Sequence, residues 1–230
     1  MGESIIKAIN VQKEYRREGN IIRALVDINL DIEAGEVVFI TGPTACGKTT
    51  LLNVLSGLDL PDDGQIILDG ENIARANEDR LSNIRRQKIG FVFQDFNLIE
   101  TLSGIENIEA LLWPTVLSKK EVENRAIQAL RDVDLLERKD HFPRQMSGGE
   151  KQRIAIARAI VHQPRVLFAD EPTGNLDPTT EGEIMKLLRK LNEDMGMTMV
   201  IVTHQEKLLS FADRVIQMER GRIENIKGKR

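Results

Sequence analysis

Apolar residues fall into two rhythms along the chain. Segments 5–10, 25–32 and 65–68 carry short alternating or apolar patterns and are bounded by Gly19, Gly35, Gly64 and Gly70, as expected of antiparallel strands. Compact apolar runs at 37–40, 89–93, 166–169, 199–202 and 215–218 predict a second set of strands, parallel and buried on both faces. Helical patterns separate them. Residues 94–163 read as helical, with 119–132 amphipathic and a helix from 150 to 161 opening just after a turn at Ser147, Gly148 and Gly149. Within it, residues 153–161 are charged only at Arg153 and Arg158, which predicts a helix buried nearly all round.

Strand signals at both ends and a helical middle predict an α/β fold with an insertion. The 230 residues amount to one large domain or one domain carrying a subdomain, and are too few for two full folds. The expected division is a mainly parallel α/β core with an antiparallel β subdomain at 1–93 and 164–230, interrupted by a helical subdomain at 94–163. Ligands of such a sheet bind beyond the carboxyl ends of its strands.

Composition narrows the function. With 32 Lys and Arg against 36 Asp and Glu the net charge is −4, so no overall basic field gathers nucleic acid or anionic lipid, and no nucleic-acid partner is expected. The longest apolar runs are far short of the roughly 18 residues that span a bilayer. The start, MGESIIKAIN, carries no secretory pattern, and Ile6 stands where a myristoylation signal needs Ser or Thr. The expectation is a cytoplasmic chain. Its single cysteine, Cys46, excludes an internal disulfide framework and a cysteine metal cage.

The chemistry begins at Gly42-Pro43-Thr44-Ala45-Cys46-Gly47-Lys48-Thr49, a full G-x-x-x-x-G-K-[ST] match placed after the run 37–40 and before an apolar helix at 51–58. Successive N–H groups and the helix N-terminus make an anion cup, Lys48 reaches the β- and γ-phosphates, and the Thr49 hydroxyl can ligate Mg²⁺. Thr50, next in the helix, belongs to the same ATP-binding set. A second site appears where the run 166–169 ends in Asp170 and Glu171. Alone, such a pair is a solvated strand end; beside a phosphate loop, one carboxylate can hold Mg²⁺ and the other can orient a water.

A third motif, Met146-Ser147-Gly148-Gly149-Glu150-Lys151-Gln152-Arg153, resembles the signature of the ATP-binding subunits of ABC transporters. The resemblance runs from about residue 5 to 226 and implies a P-loop ATPase with a RecA-like sheet. It implies that Tyr15 stacks on adenine, that Gln94 contacts Mg²⁺ and links to the membrane partner, and that Asn175, Leu176 and Asp177 form a loop at the dimer interface. It also implies that His204 contacts the γ-phosphate, while His141 and His162 remain ordinary surface or core residues. Ser147, Gly148, Gly149 and Glu150 would complete the site from a second copy. Residues 90–99, 106–108 and 168–177 most resemble the lipoprotein-releasing and macrolide-exporting branch, whose ATPase dimer drives a separate permease from the cytoplasmic face of the membrane. Phe96 and Leu98 are plausible apolar anchors for that permease.

Two positions depart from the family pattern. Ala45 replaces a glycine and is strained if its φ is positive. Glu150 replaces glutamine; it suits its own helix N-terminus but repels a nearby phosphate. Cys46 is open to two readings, a small filler facing the interior or a thiol activated by Lys48 and the helix end. Rival functions are a non-transport ABC ATPase acting on ribosomes or DNA, which usually carries paired domains, a coiled coil or a basic face, and a small-molecule kinase, which has no use for the signature.

Overall fold

The computed structural model describes residues 3–17 and 20–228; Gly19 lies outside them. In chain order the strands are β1 (Ser4–Arg17), β2 (Asn20–Glu33), β3 (Val37–Thr41), β4 (Asp63–Leu68), β5 (Glu71–Asn72), β6 (Ile89–Val92), β7 (Val166–Asp170), β8 (Thr198–Val202), β9 (Arg214–Glu219) and β10 (Arg222–Gly228). The helices are α1 (Lys48–Leu55), α2 (Glu78–Lys88), α3 (Gly104–Glu109), α4 (Lys119–Asp132), α5 (Gly148–Ile160) and α6 (Pro178–Met195).

The two hydrophobic rhythms become two sheets. One is antiparallel in the order β2-β1-β4-β5; the other runs β10-β9-β3-β8-β7-β6, with β3 parallel to both β8 and β9, and β7 parallel to both β6 and β8. The central parallel strands β3, β7 and β8 are apolar along nearly their whole length because alternate residues feed different cores. Val37, Phe39, Leu167, Ala169, Met199 and Ile201 join the cluster under α3 to α6, whereas Val38, Ile40, Val166, Phe168, Val200 and Val202 join the one shared with α1, α2 and the antiparallel sheet. These side chains are thus removed from water, at about 25 cal/mol per Å² of apolar area, whereas β9 exposes Gln217 and Glu219, so the run 215–218 is not buried on both faces as expected. Helix α5 is buried along most of 154–161, as its composition requires.

The structure differs from the pattern in three further places. Residues 94–103 form no helix. The side chain of Asn107, buried in α3, satisfies their backbone instead, accepting from Ile99 N at 2.8 Å and donating to the carbonyls of Ile99, Leu102 and Ser103. Helix α2 is polar apart from buried Leu81 and Ile84, and rests on its Asn77 cap and on acids at its start and bases at its end. Strand β10 adds an antiparallel edge to the parallel sheet.

Candidate active site

Four adjacent strands deliver the predicted residues to one edge. Their order is β3-β8-β7-β6, so the segments that follow them lie side by side: 42–49 from β3, His204 from β8, Asp170 and Glu171 from β7, and Gln94 from β6.

The loop 42–47 wraps around its own lysine. Lys48 is buried, and its ammonium donates to the carbonyls of Gly42 and Pro43 at 2.9 and 2.8 Å. Close backbone packing fixes the glycines, because a Cβ on Gly42 would meet Met218 O at 2.2 Å and one on Gly47 would meet Ala24 O at 2.4 Å. Ala45 has φ 61°, so the strain anticipated for it is present. Pro43, Thr44 and Ala45 are exposed, and Thr50 is half-buried. Cys46 is buried among Leu51, Leu52 and Met218, with its Sγ 4.0 Å from Lys48 Nζ. That position is the interior filler, and its carbonyl also receives Gly221 N at 2.9 Å.

Thr49 Oγ1 donates to Asp170 Oδ1 at 3.4 Å, so the loop helix and β7 meet through two hard oxygens. Burial raises the Asp170 carboxyl above its usual range, and the Glu171 charge adds to this, against the opposing pull of Thr49 and Lys48. A cation placed there would relieve that cost. Among the described residues no group of three or more His, Cys, Asp or Glu could hold a metal. The two oxygens of Thr49 and Asp170 are hard donors of the kind Mg²⁺ takes, one or two from protein with the rest of its shell left to phosphate and water. Glu171 sits at φ 46°, a conformation that turns its side chain out of the strand, and its Oε1 lies 3.2 Å from His204 Nδ1. The Gln94 amide borders the same turn, since a Cβ on Gly174 would meet its Nε2 at 3.1 Å. Asn175 Nδ2 donates to Gln94 O at 3.2 Å and to Asp95 Oδ1 at 3.0 Å.

Tyr15 is 39% exposed. Its hydroxyl donates to Asp59 Oδ2 at 2.8 Å and Lys13 Nζ stands 5.3 Å from its ring centroid; burial and then the Asp59 hydrogen bond raise the phenol's pKa. Leu176 packs on Gly148, while Asp177 caps α6 by accepting from Thr179 N and Thr180 N at 3.1 and 3.2 Å. Ser147 caps α5 in a reciprocal box with Glu150. The Glu150 carboxyl is held low first by the Ser147 N–H, and Arg138 Nε donates to it at 2.8 Å. Asp59, Asp95 and Arg138 carried no signal in the sequence, since each reaches its partner across many residues. Phe96 packs near Gly148 and Leu98 against the core. A neighbouring groove of about 550 Å³ is lined instead by residues including Leu58, Phe91, Phe93, Ile99, Leu111 and Arg158.

A phosphate loop on β3 with an Asp-Glu pair two strands away, on a parallel sheet flanked by helices, defines a P-loop nucleotide hydrolase. The family model described as ABC transporter matches residues 25–174, and the chain belongs to that family: it is an ABC-type, ATP-binding ATPase. It is 45% identical over 224 residues to the uncharacterized ABC transporter ATP-binding protein MJ0796 of Methanocaldococcus jannaschii, covering 96% of this chain and 95% of that one. It is 43% identical to the macrolide export ATP-binding/permease protein MacB of Rhodopirellula baltica, covering 95% of this chain but 32% of MacB. The dimeric structure of a post-hydrolysis state of MJ0796 bound to ADP and Pi superposes with a TM-score of 0.89 at 42% identity, covering 98% of this chain and 99% of that chain.

Proposed function

We propose that this chain is the ATP-hydrolysing subunit of an exporter or extractor of lipoproteins, peptides, lipids or drugs, working as an ATP-dependent head-to-tail homodimer that drives a separate transmembrane permease. The observation that carries this reading is the meeting of Glu171 and His204 at 3.2 Å beside the phosphate loop, while the Ser147 end of α5 packs on Leu176 and Thr180. One copy thus supplies the loop, the carboxylates and the histidine. Ser147, Gly148, Gly149 and Glu150 would close the site from the second copy, with Asn175, Leu176 and Asp177 near the seam.

In this reading Tyr15 stacks on adenine, and backbone N–H groups between Thr44 and Thr50 with Lys48 cradle the phosphates, while Gly42 and Pro43 shape the loop. Thr49, Asp170 and Gln94 would hold Mg²⁺, which when bound neutralises charge on the phosphate oxygens. Glu171 orients a water and takes its proton as oxygen attacks the γ-phosphorus and the bond to ADP breaks; His204 holds the γ-phosphate. Glu171→Gln should bind ATP, lose turnover by about a hundred-fold or more, and run as a dimer in size-exclusion chromatography with ATP. Parental turnover would remove Glu171 from this role.

Residues 94–163 act as the helical subdomain of this machine. The groove beside them, not Phe96 or Leu98, is the proposed seat of a short permease helix. Its rim exposes Leu58, Ile99 and Leu111, with Trp113 exposed nearby, and the MacB relatives carry ATP-binding and permease functions in one polypeptide, of which this chain matches a third. Among the described residues no helix is long and apolar enough to cross a membrane. The chain would therefore sit on the cytoplasmic face, touching the membrane only through the permease. Leu111→Asp should abolish co-sedimentation with permease-bearing membranes; undiminished co-sedimentation would count against the groove.

A further inference from the structure

Glu181 is a carboxylate with 2% of its surface exposed, in the first turn of α6. Burying such a charge is costly unless donors surround it. Two donors do, and they come from separate parts of the chain. Thr173 Oγ1 donates to its Oε1 at 3.1 Å, and Lys207 Nζ pairs with its Oε2. Helix capping does not explain the arrangement, because Asp177 already caps α6. The donors' positions do: Thr173 lies two residues past Glu171, and Lys207 three past His204. A closed circuit results, running from Glu171 through Thr173, Glu181 and Lys207 to His204, whose Nδ1 returns to Glu171 at 3.2 Å.

We infer that Glu181 and Lys207 are a positioning pair for hydrolysis, tying the segment that carries His204 to the turn that carries Glu171 and so setting the separation of those two groups. This inference rests on the roles proposed above for Glu171 and His204. Neither member of the pair is among the residues assigned above to the nucleotide. Thr173 fixes one carboxylate oxygen on the Glu171 side, and the other oxygen is left for the lysine; Lys207 is half exposed, so it can be replaced without opening the core.

The test compares steady-state ATP hydrolysis by the full chain and its variants. Lys207→Met should lower kcat about five-fold or more while KM for ATP stays within about two-fold, and Lys207→Arg should restore most of the rate. Glu181→Gln, which still accepts from Thr173 but loses the charge that holds Lys207, should reproduce Lys207→Met. In a His204→Ala background, Lys207→Met should cost nothing further, because the segment no longer carries the group being placed. A Lys207→Met chain that melts earlier at parental kcat, or one whose loss multiplies with that of His204→Ala, overturns the pair. A parental rate for His204→Ala itself sinks the reading of the site instead; an impaired His204→Ala beside an unimpaired Lys207→Met sinks only the pair.

Discussion

Two helices of this chain carry glycine at their starts, and they begin in opposite ways. Helix α1 starts from Gly47 at φ 107°, with no side-chain cap and no acidic residue in its first turn. Helix α5 starts from Ser147 in a complete capping box with Glu150, which Arg138 pins from outside. An uncapped N-terminus leaves several N–H groups and a partial positive charge without a partner. The first helix is therefore finished only by an anion, and the loop before it is shaped around Lys48 for that purpose. The second is stable as it stands, keeping the N–H groups of Gly148 and Gly149 on a face that a second copy could meet. In the proposed dimer the same dipole would serve as a cradle in one place and as a lid in the other.

Substitution at the two helix starts separates these roles by size. Gly47→Ala should be the most damaging, because its Cβ would lie 2.4 Å from Ala24 O at a φ that L side chains rarely adopt; a loss above about 3 kcal/mol is expected. Gly149→Ala meets Thr180 Cγ2 at 2.6 Å, a side-chain overlap of about 1 to 2 kcal/mol. Ser147→Ala removes a cap worth about 1 kcal/mol. Gly148→Ala, whose Cβ would lie 3.2 Å from movable Leu176 Cδ2, should stay within about 0.5 kcal/mol because alanine favours the helix. Urea denaturation of the four variants checks the order. A Gly47→Ala chain as stable as Gly148→Ala would erase the contrast.

The sequence made one of these helix starts easier to understand than the other. The phosphate loop is legible because its spacing is local and its strand and helix flank it within a few residues. Strands β3, β6, β7 and β8 are legible because near-complete burial leaves compact apolar runs, whereas β9 alternates, with Ile216 and Met218 buried and Gln217 exposed. Helix α2 was hidden, since only Leu81 and Ile84 of it are buried, and residues 94–103 looked helical because the amide that holds them, that of Asn107, acts from another element. At the signature helix the Ser147–Glu150 box is local, whereas Arg138 and the contact of Gly149 with Thr180 come from other parts of the chain. The Glu171–His204 contact likewise joins residues 33 apart (204 − 171), which spacing alone cannot announce.

The smallest expected effect concerns Glu150, and it sharpens the comparison because α1 has no equivalent carboxylate. The Ser147 N–H, then the Ser147 hydroxyl and Arg138, hold the folded Glu150 carboxyl below its ordinary value. A depressed folded pKa means the charge stabilises the folded chain above the ordinary carboxylate range, and that contribution is lost as pH falls through the folded value. Gln at this position still accepts the Ser147 N–H but gives up its charge toward the helix end and Arg138, so at neutral pH Glu150→Gln should cost about 0.5 kcal/mol. That deficit should close as the solution is acidified. Melting temperatures of the parent and Glu150→Gln, measured in parallel from neutral to acid pH, should converge at the acid end; a constant gap would mean that the carboxylate acts by shape and not by charge. Arg138 also bears on the repulsion anticipated between Glu150 and a partner's phosphate. With the carboxylate paired to a guanidinium at 2.8 Å, the net charge at this helix start is near zero, and Glu150→Gln leaves Arg138 uncompensated, so in the proposed dimer the Glu171→Gln chain carrying Glu150→Gln should hold ATP at least as tightly as Glu171→Gln alone.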